Sequence, residues 1–358
     1  MTNGLHKMVN GEADVSLSHP TAYPATHPRS LENVCALLHG QVDAFLKAEP
    51  EDDVTRRTQD QTRISMQVIE KALLDYEFSA LSLSYNGGKD CLVLLIIYLA
   101  VLHAHFSSKR SKNGTHKPGE FPKSIPSIYA KAPDPFHAVS HFVEYSSRLY
   151  HLDLAHIFTN PGPGKKEKSH SNPPPTTPPS AQPIENATTE PKNVPLSRVT
   201  SHSDKPTVSF RDAFALYLRS NPSVRAIFVG TRRTDPHGGH LTHFDPTDHN
   251  WPDFMRVHPV IDWHLSEIWC FLRSPFLTDL GESEKEGNGV ADGESDGFGR
   301  GKGGLRYCAM YDEGYTSLGG INDTVRNPKL KYIDEDGRER YKPAYEMTWD
   351  EGERLGRE

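Results

Sequence analysis

Apolar residues recur along the chain with two periods, and the order of these periods predicts the fold class. From Ser30, apolar positions three and four residues apart predict a helix with one buried face, and a second such helix covers 64–76. Residues 81–85 then alternate apolar and polar side chains, as in a short strand that ends at a pair of glycines. Asp90 begins a predicted helix that is apolar nearly all round, which is typical of a buried helix.

The same alternation of strands and helices continues to residue 272. Further strands are predicted at 127–130, 154–158 and 224–229, and further helices at 136–150, 208–218 and 264–272. Strands that alternate with helices form parallel sheets with right-handed crossovers. The predicted class is therefore α/β, with a Rossmann-like, open and mostly parallel sheet, helices on both faces, and a C-terminal segment of loops and short helices.

Composition divides the chain further. Residues 1–29, 161–206 and 281–304 contain few large apolar side chains; the second has 11 prolines and the third is rich in glycine and acidic residues. Such segments bury too little apolar surface to offset the entropy of ordering them. We therefore expect a disordered N-terminal tail and two disordered insertions around an α/β domain at 30–280, with a C-terminal segment at 305–358.

Charge and cysteine usage exclude several classes of protein. The net charge of −7 gives no general attraction to nucleic acid, so we expect no nucleic-acid partner. The longest apolar run, Leu92 to Leu102, has 11 residues, whereas a membrane-spanning helix needs about 20. The first 30 residues lack a targeting pattern, and the four cysteines lie far apart, as in reduced proteins. We expect a cytoplasmic monomer without membrane contact.

The segment 84–91 (SYNGGKDC) has the residues of an anion-binding loop. Its glycines allow main-chain N–H groups to turn toward an anion, and the N-terminus of the following helix adds partial positive charge. It is not a Walker A loop, because the first glycine of that motif would fall at Leu83 and its last hydroxyl residue at Asp90. A plain strand-to-helix turn is the alternative, but Lys89 beside the glycines favours phosphate binding.

A second polar group follows the predicted strand at 224–229. Arg232 and Arg233 offer fork-shaped donors that suit phosphate oxygens, and Asp235 is an acceptor for an N–H group. Ligands of open α/β sheets bind at the ends of such strands. The alternative is a solvated surface pair with Asp235 or Asp248, which would contribute little.

The segment 84–91 resembles the PP-loop of the adenosine nucleotide α-hydrolase superfamily, which includes the PAPS reductases, and its form resembles that of the fungal-type FAD synthases. Four further stretches resemble the same family in order: 230–236 (GTRRTDP), 244–259 leading to 261–263, 307–319, and 341–357. The resemblance implies an FMN adenylyltransferase that binds ATP, FMN and Mg²⁺ and produces FAD and pyrophosphate.

The resemblance also implies residues for each part of the site. The ATP-binding residues would be Ser84, Tyr85, Asn86, Gly87, Gly88, Lys89 and Asp90. The catalytic residues would be Asn86, Lys89, Asp90 and Arg232, with Mg²⁺ at Asn86 and Asp90. The flavin would contact Arg232, Asp235, Asp248, Trp251, Arg256, Arg354 and Arg357, so the C-terminal segment would complete its site. Asp235 would accept a hydrogen bond from the ring edge.

Simpler interpretations exist for some of these residues. Trp251 is equally compatible with a core anchor, and Arg354 and Arg357 with a solvated, flexible tail. Cys308 is compatible with a small buried thiol. The histidines at 237, 240 and 243 have a spacing that suits a metal, but the glycines between them disfavour a rigid helical face, so we expect no metal there.

Two other functions remain open at this point. A thiol-dependent reductase of the PAPS type would need a nucleophilic cysteine near the C-terminus, whereas the last cysteine is Cys308. A nucleotide- or flavin-binding protein without turnover would use the same fold. The presence of Asn86, Lys89 and Asp90 favours an enzyme.

Overall fold

The structure, a computed structural model, describes residues 29–112, 121–159, 208–281, 298–300 and 304–357. The predicted insertion at 161–206 lies outside these residues, as does the predicted tail except for Arg29. That arginine donates a hydrogen bond from Nη1 to the carbonyl oxygen of Leu280 at 2.6 Å. The predictions of disorder for the tail and for 161–206 therefore stay predictions.

Six α-helices and ten strands occur in the described ranges. The helices are α1 (Leu31–Lys47), α2 (Asp53–Asp75), α3 (Lys89–Lys112), α4 (His137–Leu149), α5 (Phe210–Ser220) and α6 (Leu265–Leu272). The strands are β1 (Leu81–Ser84), β2 (Ile125–Lys131), β3 (Leu152–Phe158), β4 (Ala226–Phe228), β5 (Phe244–Pro246), β6 (Met255–Val257), β7 (Phe298–Arg300), β8 (Arg306–Cys308), β9 (Lys331–Ile333) and β10 (Glu339–Tyr341). All helices predicted from periodicity are present; α2 begins 11 residues before the predicted start at 64, and the other predicted ends shift less.

One mixed sheet organises the domain. Its order is β3-β2-β1-β4-β6-β5, and every neighbouring pair is parallel except β5 and β6 at the edge. The predicted α/β fold with a mostly parallel sheet is therefore confirmed. From β1 the chain adds β2 and β3 on one side and β4 on the other, so the strand order reverses between β1 and β4. Open α/β sheets bind ligands at such a point.

Helices cover both faces of the sheet. The larger core lies on the face of α1, α2, α3, α4 and α6, and the residues of α3 from Leu92 to Leu102 are each at most 4% exposed. A smaller core on the opposite face packs Phe214 and Tyr217 of α5 against Ile128 and Ile227. These two faces bury apolar surface on either side of the strands and leave the strand ends available.

Helix α3 also accounts for the most hydrophobic stretch of the described chain. By length and composition, Lys89–Ser108 is the one helix there that could cross a membrane, with a mean hydropathy of 2.0. However, 67% of its most apolar stretch is buried within the protein, as in the central helix of an α/β domain. The sequence analysis counted only the uninterrupted apolar run, which stops at Leu102, and therefore did not identify this helix as a candidate.

Part of the segment 281–304 belongs to the fold. Strand β7 pairs antiparallel with β8, and the Phe298 ring packs against Tyr145, with 4.6 Å between ring centroids. The expectation that all of 281–304 lies outside the core therefore does not hold for Phe298–Arg300. One aromatic residue in a polar segment is enough to pin a three-residue strand when a partner strand and a ring are adjacent. Residues 282–297 and 301–303 lie outside the described chain.

Candidate active site

The glycine-rich loop, residues 84–90, joins β1 to α3 beside the reversal of strand order. Gly87 has a φ of +74°, and a Cβ there would approach Cγ2 of Val143 to 2.7 Å, so glycine is required on both grounds. The side-chain oxygen of Asn86 accepts a hydrogen bond from the N–H of Gly88 at 2.9 Å and closes the turn. The loop main chain and the N-terminus of α3 are thus held together at the carboxyl edge of the sheet, as in phosphate sites.

Two tyrosines support this loop from the protein interior. Tyr85 is fully buried and its hydroxyl donates to Ser146 Oγ at 2.8 Å, so its side chain cannot contact ATP. Tyr311 accepts a hydrogen bond from the N–H of Lys89 at 3.0 Å. Burial raises the pKa of both phenols, so both remain protonated. They act as rigid neutral partners of the loop.

Five charged residues, two of them at the end of the loop, form a largely buried ionic cluster. Lys89 Nζ is 2.9 Å from Asp90 Oδ2 and 2.5 Å from Glu353 Oε1. Arg232 Nε is 2.7 Å from Asp90 Oδ1, and Arg232 Nη1 is 3.0 Å from Asp350 Oδ1. The second terminal nitrogen of Arg232 pairs with Glu353. Lys89 and Arg232 are almost fully buried, so these carboxylates are their partners in place of water.

The charges of the cluster stabilise one another despite burial. Burial would raise the pKa of Asp90, but Lys89 and Arg232 outweigh this and hold it below its ordinary value. Burial would likewise lower the pKa of Lys89, but Asp90 and Glu353 outweigh this and hold it above its ordinary value. Three carboxylates face two cations, because Asp350 also belongs to the cluster. The cluster therefore has one excess negative charge.

Asp90 is the most exposed of the three carboxylates in the cluster. Its side chain is 20% exposed, against 15% for Asp350 and 6% for Glu353. Among the described residues, no group of three or more His, Cys, Asp or Glu side chains could hold a metal by itself. Mg²⁺ commonly takes one or two carboxylates together with substrate phosphates. Asp90 is the carboxylate of the cluster nearest to such a role, although both its oxygens are ion-paired, Oδ1 with Arg232 and Oδ2 with Lys89. The amide oxygen of Asn86 is already occupied by Gly88.

The adjacent residues Arg232 and Arg233 have opposite surroundings. Arg232 is 1% exposed and surrounded by carboxylates, so the structure does not support direct contact with a flavin or ATP phosphate. Arg233 is 42% exposed and lies 2.6 Å from Asp262. The surface-pair interpretation therefore describes Arg233, although its partner is Asp262 instead of Asp235 or Asp248.

Of the two C-terminal arginines, Arg354 lies beside Asp235 and the cluster, whereas Arg357 contacts Leu318 and Asp323. Asp235 Oδ2 accepts the main-chain N–H of Arg232 at 2.9 Å, and Oδ1 lies 3.3 Å from Arg354 Nη1. Arg357 donates to the carbonyl oxygen of Leu318 at 2.6 Å. Burial, and next the Asp90 carboxylate, raise the pKa of Asp235. The two arginines remain partly exposed in a packed turn, which argues against the flexible-tail interpretation.

The other predicted flavin residues lie at the edge of the sheet. Arg256 of β6 pairs in register with Ile227, which belongs to the smaller core, and its Nη1 is 3.4 Å from Asp248 Oδ2. Trp251 is 38% exposed, with its ring centroid 6.1 Å from that of Phe214 in α5. A core-anchor role for Trp251 does not hold at this exposure. A flavin contact for these three residues stays a prediction.

Sequence reasoning missed Glu353, Asp350 and Tyr311. In the stretch 348–357 only the arginines were predicted to belong to the site, although Asp350 and Glu353 lie three residues apart within it. Two acidic residues beside arginines in a C-terminal motif are candidates for the counter-ions of buried cations, once such cations are known elsewhere in the chain. Tyr311 had no local signal, because its partner is a main-chain N–H 222 residues away.

The cysteines do not form a nucleophilic site. All four are free thiols, and burial raises the pKa of Cys91 and of Cys308 to about 12. Burial also raises the pKa of Cys35 and of Cys270. Since the thiolate is the nucleophile, these surroundings disfavour a thiol-dependent reductase.

The histidines at 237, 240 and 243 do not converge. His243 Nδ1 lies 3.0 Å from the carbonyl oxygen of His258, whereas His237 and His240 are exposed. None of the three belongs to a metal-binding group of the described chain. The expectation that no metal binds there stays a prediction.

Comparison with known proteins identifies the domain. Residues 80–277 match the family model described as the phosphoadenosine phosphosulfate reductase domain. This range begins just before β1 and contains the glycine-rich loop and Arg232, whereas Asp350, Glu353 and the two C-terminal arginines lie beyond it.

The similar proteins extend past that domain. The chain is 28% identical over 299 residues to a probable FAD synthase of Schizosaccharomyces pombe, covering 84% of this chain and 79% of the relative. It is 26% identical over 329 residues to the flavin adenine dinucleotide synthase of Saccharomyces cerevisiae, covering 89% and 81%. In fold it is similar to the crystal structure of Candida glabrata FMN adenylyltransferase in complex with FAD and inorganic pyrophosphate, with a TM-score of 0.65, 23% identity, and coverage of 92% and 99%.

Proposed function

Since the chain belongs to the phosphoadenosine phosphosulfate reductase domain family, we propose that it uses this fold as an FMN adenylyltransferase, transferring AMP from ATP to FMN. The observation that carries the proposal is that the glycine-rich loop, Asp90, Asp235 and the C-terminal Arg354 lie together at one edge of the sheet, joined through Arg232. The similarity over 84% and 89% of the chain to proteins named FAD synthases supports the same activity.

The reaction requires little covalent help from the protein. A phosphate oxygen of FMN attacks the α-phosphorus of ATP, the bond to the β-phosphate oxygen breaks, and FAD and pyrophosphate result. A phosphate monoester carries most of its charge at pH 7, so the nucleophile needs no general base. Both reactants are anions, so the task is to position them and to neutralise charge.

Each part of the site has a place in this scheme. The main chain of the glycine-rich loop and the N-terminus of α3 would hold the ATP phosphates. Asp90 would hold the Mg²⁺, which when bound supplies charge neutralisation among the phosphates. Arg354 and Arg357 would face the anionic reactants from the C-terminal turn. Lys89 and Arg232 would act indirectly, by holding the Asp90 carboxylate in place.

On the flavin side, Asp235 would select the acceptor. A carboxylate repels a phosphate, so it is better matched to an N–H donor such as the one at the ring edge of FMN. Its side chain is 24% exposed and therefore accessible from the site. A cytoplasmic location, a monomeric state and the lack of membrane and nucleic-acid partners stay predictions from the sequence.

Incubation with FMN, ATP and Mg²⁺ tests the proposal directly, with FAD measured by chromatography and pyrophosphate by a coupled assay. We expect equal amounts of the two products. Asp90→Asn should lower kcat by about 10²–10³-fold. Asp60→Asn, on the exposed surface of α2 where Asp60 pairs with Arg63, should leave it unchanged.

Two outcomes would refute the proposed activity. Binding of FMN without formation of FAD would indicate a binding protein without turnover. Release of sulfite from PAPS in the presence of a dithiol would indicate a reductase.

A further inference from the structure

Glu353 connects the two halves of the candidate site. Its carboxylate pairs with Lys89 on the phosphate side, at 2.5 Å, and with Arg232. Its side chain is only 6% exposed, so it cannot touch a substrate. The residue that follows it, Arg354, reaches Asp235 on the opposite side.

The main chain at Glu353 is attached to the fold by hydrogen bonds to carbonyl oxygens. Its carbonyl oxygen accepts hydrogen bonds from Thr316 Oγ1 and from Asn327 Nδ2, the latter at 3.2 Å. Asn327 also donates to the carbonyl oxygen of Gly352 at 2.8 Å. The turn is therefore held at these two carbonyl groups, and the ion pairs of the Glu353 carboxylate attach it to Lys89 and Arg232 as well.

The negative charge of Glu353 affects how strongly Lys89 and Arg232 bind Asp90. Lys89 and Arg232 each contact both Asp90 and Glu353. Without the negative charge of Glu353, both buried cations would depend more strongly on Asp90. The carboxylate of Asp90, which already pairs with both cations, would then be held more tightly by them and be less available to a ligand at the surface, where 20% of its side chain is exposed.

We propose that Glu353 is a positioning residue that keeps Asp90 available to the phosphates and sets Arg354 against Asp235, through its ion pairs with Lys89 and Arg232. This inference rests on the proposed function, because it assigns Glu353 a part in the same site. It differs from a purely structural role in requiring the charge of Glu353 as well as its volume.

Steady-state kinetics of FAD formation separate charge from packing. Glu353→Gln keeps the shape and removes the charge, and we expect kcat/KM for both substrates to fall about tenfold or more. Glu353→Asp keeps the charge and should retain more activity than Glu353→Gln. Glu351→Gln, an exposed residue of the same turn, is the matched control and should behave as wild type. Equal losses for Asp and Gln at position 353, or no loss for Gln, would overturn the inference.

A double-mutant cycle tests the connection to the flavin side. Arg354→Ala should raise the KM for FMN, and it should raise it much less when Glu353 is already Gln, because the position of Arg354 is then already lost. Full additivity would overturn the inference. If Glu353→Gln does not fold, as judged by near-UV circular dichroism, the cycle is measured with Glu353→Asp, which keeps the charge. The inference then requires that Arg354→Ala raise the KM for FMN nearly as much as in the wild type, and a folded Glu353→Asp protein without FAD formation would overturn it.

A binding measurement distinguishes failure of this inference from failure of the proposed function. Quenching of flavin fluorescence gives the affinity for FMN without turnover. The wild-type protein forming FAD while the cycle is additive would refute the role of Glu353 alone. A wild-type protein that binds FMN and forms no FAD would refute the proposed function, and with it the inference.

Discussion

Replacement of Arg232 should destabilise the protein far more than replacement of its neighbour Arg233. Arg232→Ala would leave Asp90, Asp350 and Glu353 with Lys89 as their remaining buried cation. Removing one partner of a buried ion pair costs about 3–5 kcal/mol, because the remaining charges are desolvated and unpaired. We therefore expect a loss of that size in the free energy of unfolding.

Arg233→Ala is the matched comparison. Arg233 is exposed, and its partner Asp262 is exposed to the same extent, so solvent screens the pair. Exposed pairs of this kind contribute about 0–1 kcal/mol. Arg232→Lys provides an intermediate, because an ammonium group keeps the positive charge but cannot pair with three carboxylates through a planar fork.

Urea denaturation followed by tryptophan fluorescence measures the difference, since Trp263 and Trp269 are buried in the main core. With a slope of about 3 kcal/mol/M, the midpoint for Arg232→Ala should fall by about 1–1.7 M relative to wild type. A difference of less than about 1 kcal/mol between Arg232→Ala and Arg233→Ala would refute the assignment of Arg232 to a buried cluster.

Three further results are expected. Burial lowers the pKa of His258 below its ordinary value, so the stability from its neutral form is present above about pH 6.5 and lost as the pH falls below it; Tm measured from pH 8 to 5.5 should fall less for His258→Gln than for wild type. Gly230→Ala should cost about 1–3 kcal/mol, because its Cβ would lie 2.8 Å from Cys91 Sγ, whereas Gly239→Ala meets nothing within 4 Å and should be neutral in the same melts. Asp235→Ala should raise the KM for FMN about tenfold or more with little change for ATP, and Asp235→Asn should fall between Ala and wild type; equal changes for both substrates would contradict the flavin assignment.

Long periodic elements were predictable from the sequence, and short ones were not. Helix α3 and strands β1 to β4 follow from apolar periodicity that is local to each segment. Strands β4, β5 and β6 have three residues each, but β4 lies in the longer apolar run 224–229, whereas β5 and β6 lie in no such run. Strand β6 pairs with the parallel edge of β4, and β5 pairs with β6. Strand β7 escaped prediction for the same reason, since Phe298 finds its ring partner in α4.

The glycine-rich loop was also predictable, because its signal is local. Glycines, a lysine and a following helix are adjacent in sequence, and the physical reason for an anion site is contained within those residues. The partners of the cluster are not local: Asp350 and Glu353 lie 118 and 121 residues from Arg232. Nothing in the composition of a motif indicates which distant carboxylates will neutralise its cations.

The counter-ions of a charged residue decide its role more directly than its motif does. Arg232 and Arg233 share a motif and a residue type, but one is enclosed by carboxylates and the other pairs at the surface. Lys89, beside the glycines, suggests a direct phosphate contact, yet its ammonium group is held between Asp90 and Glu353. On the proposed function, the positive charge toward the substrates would therefore come from the C-terminal turn and from the loop main chain, while Lys89 and Arg232 hold the Asp90 carboxylate in place.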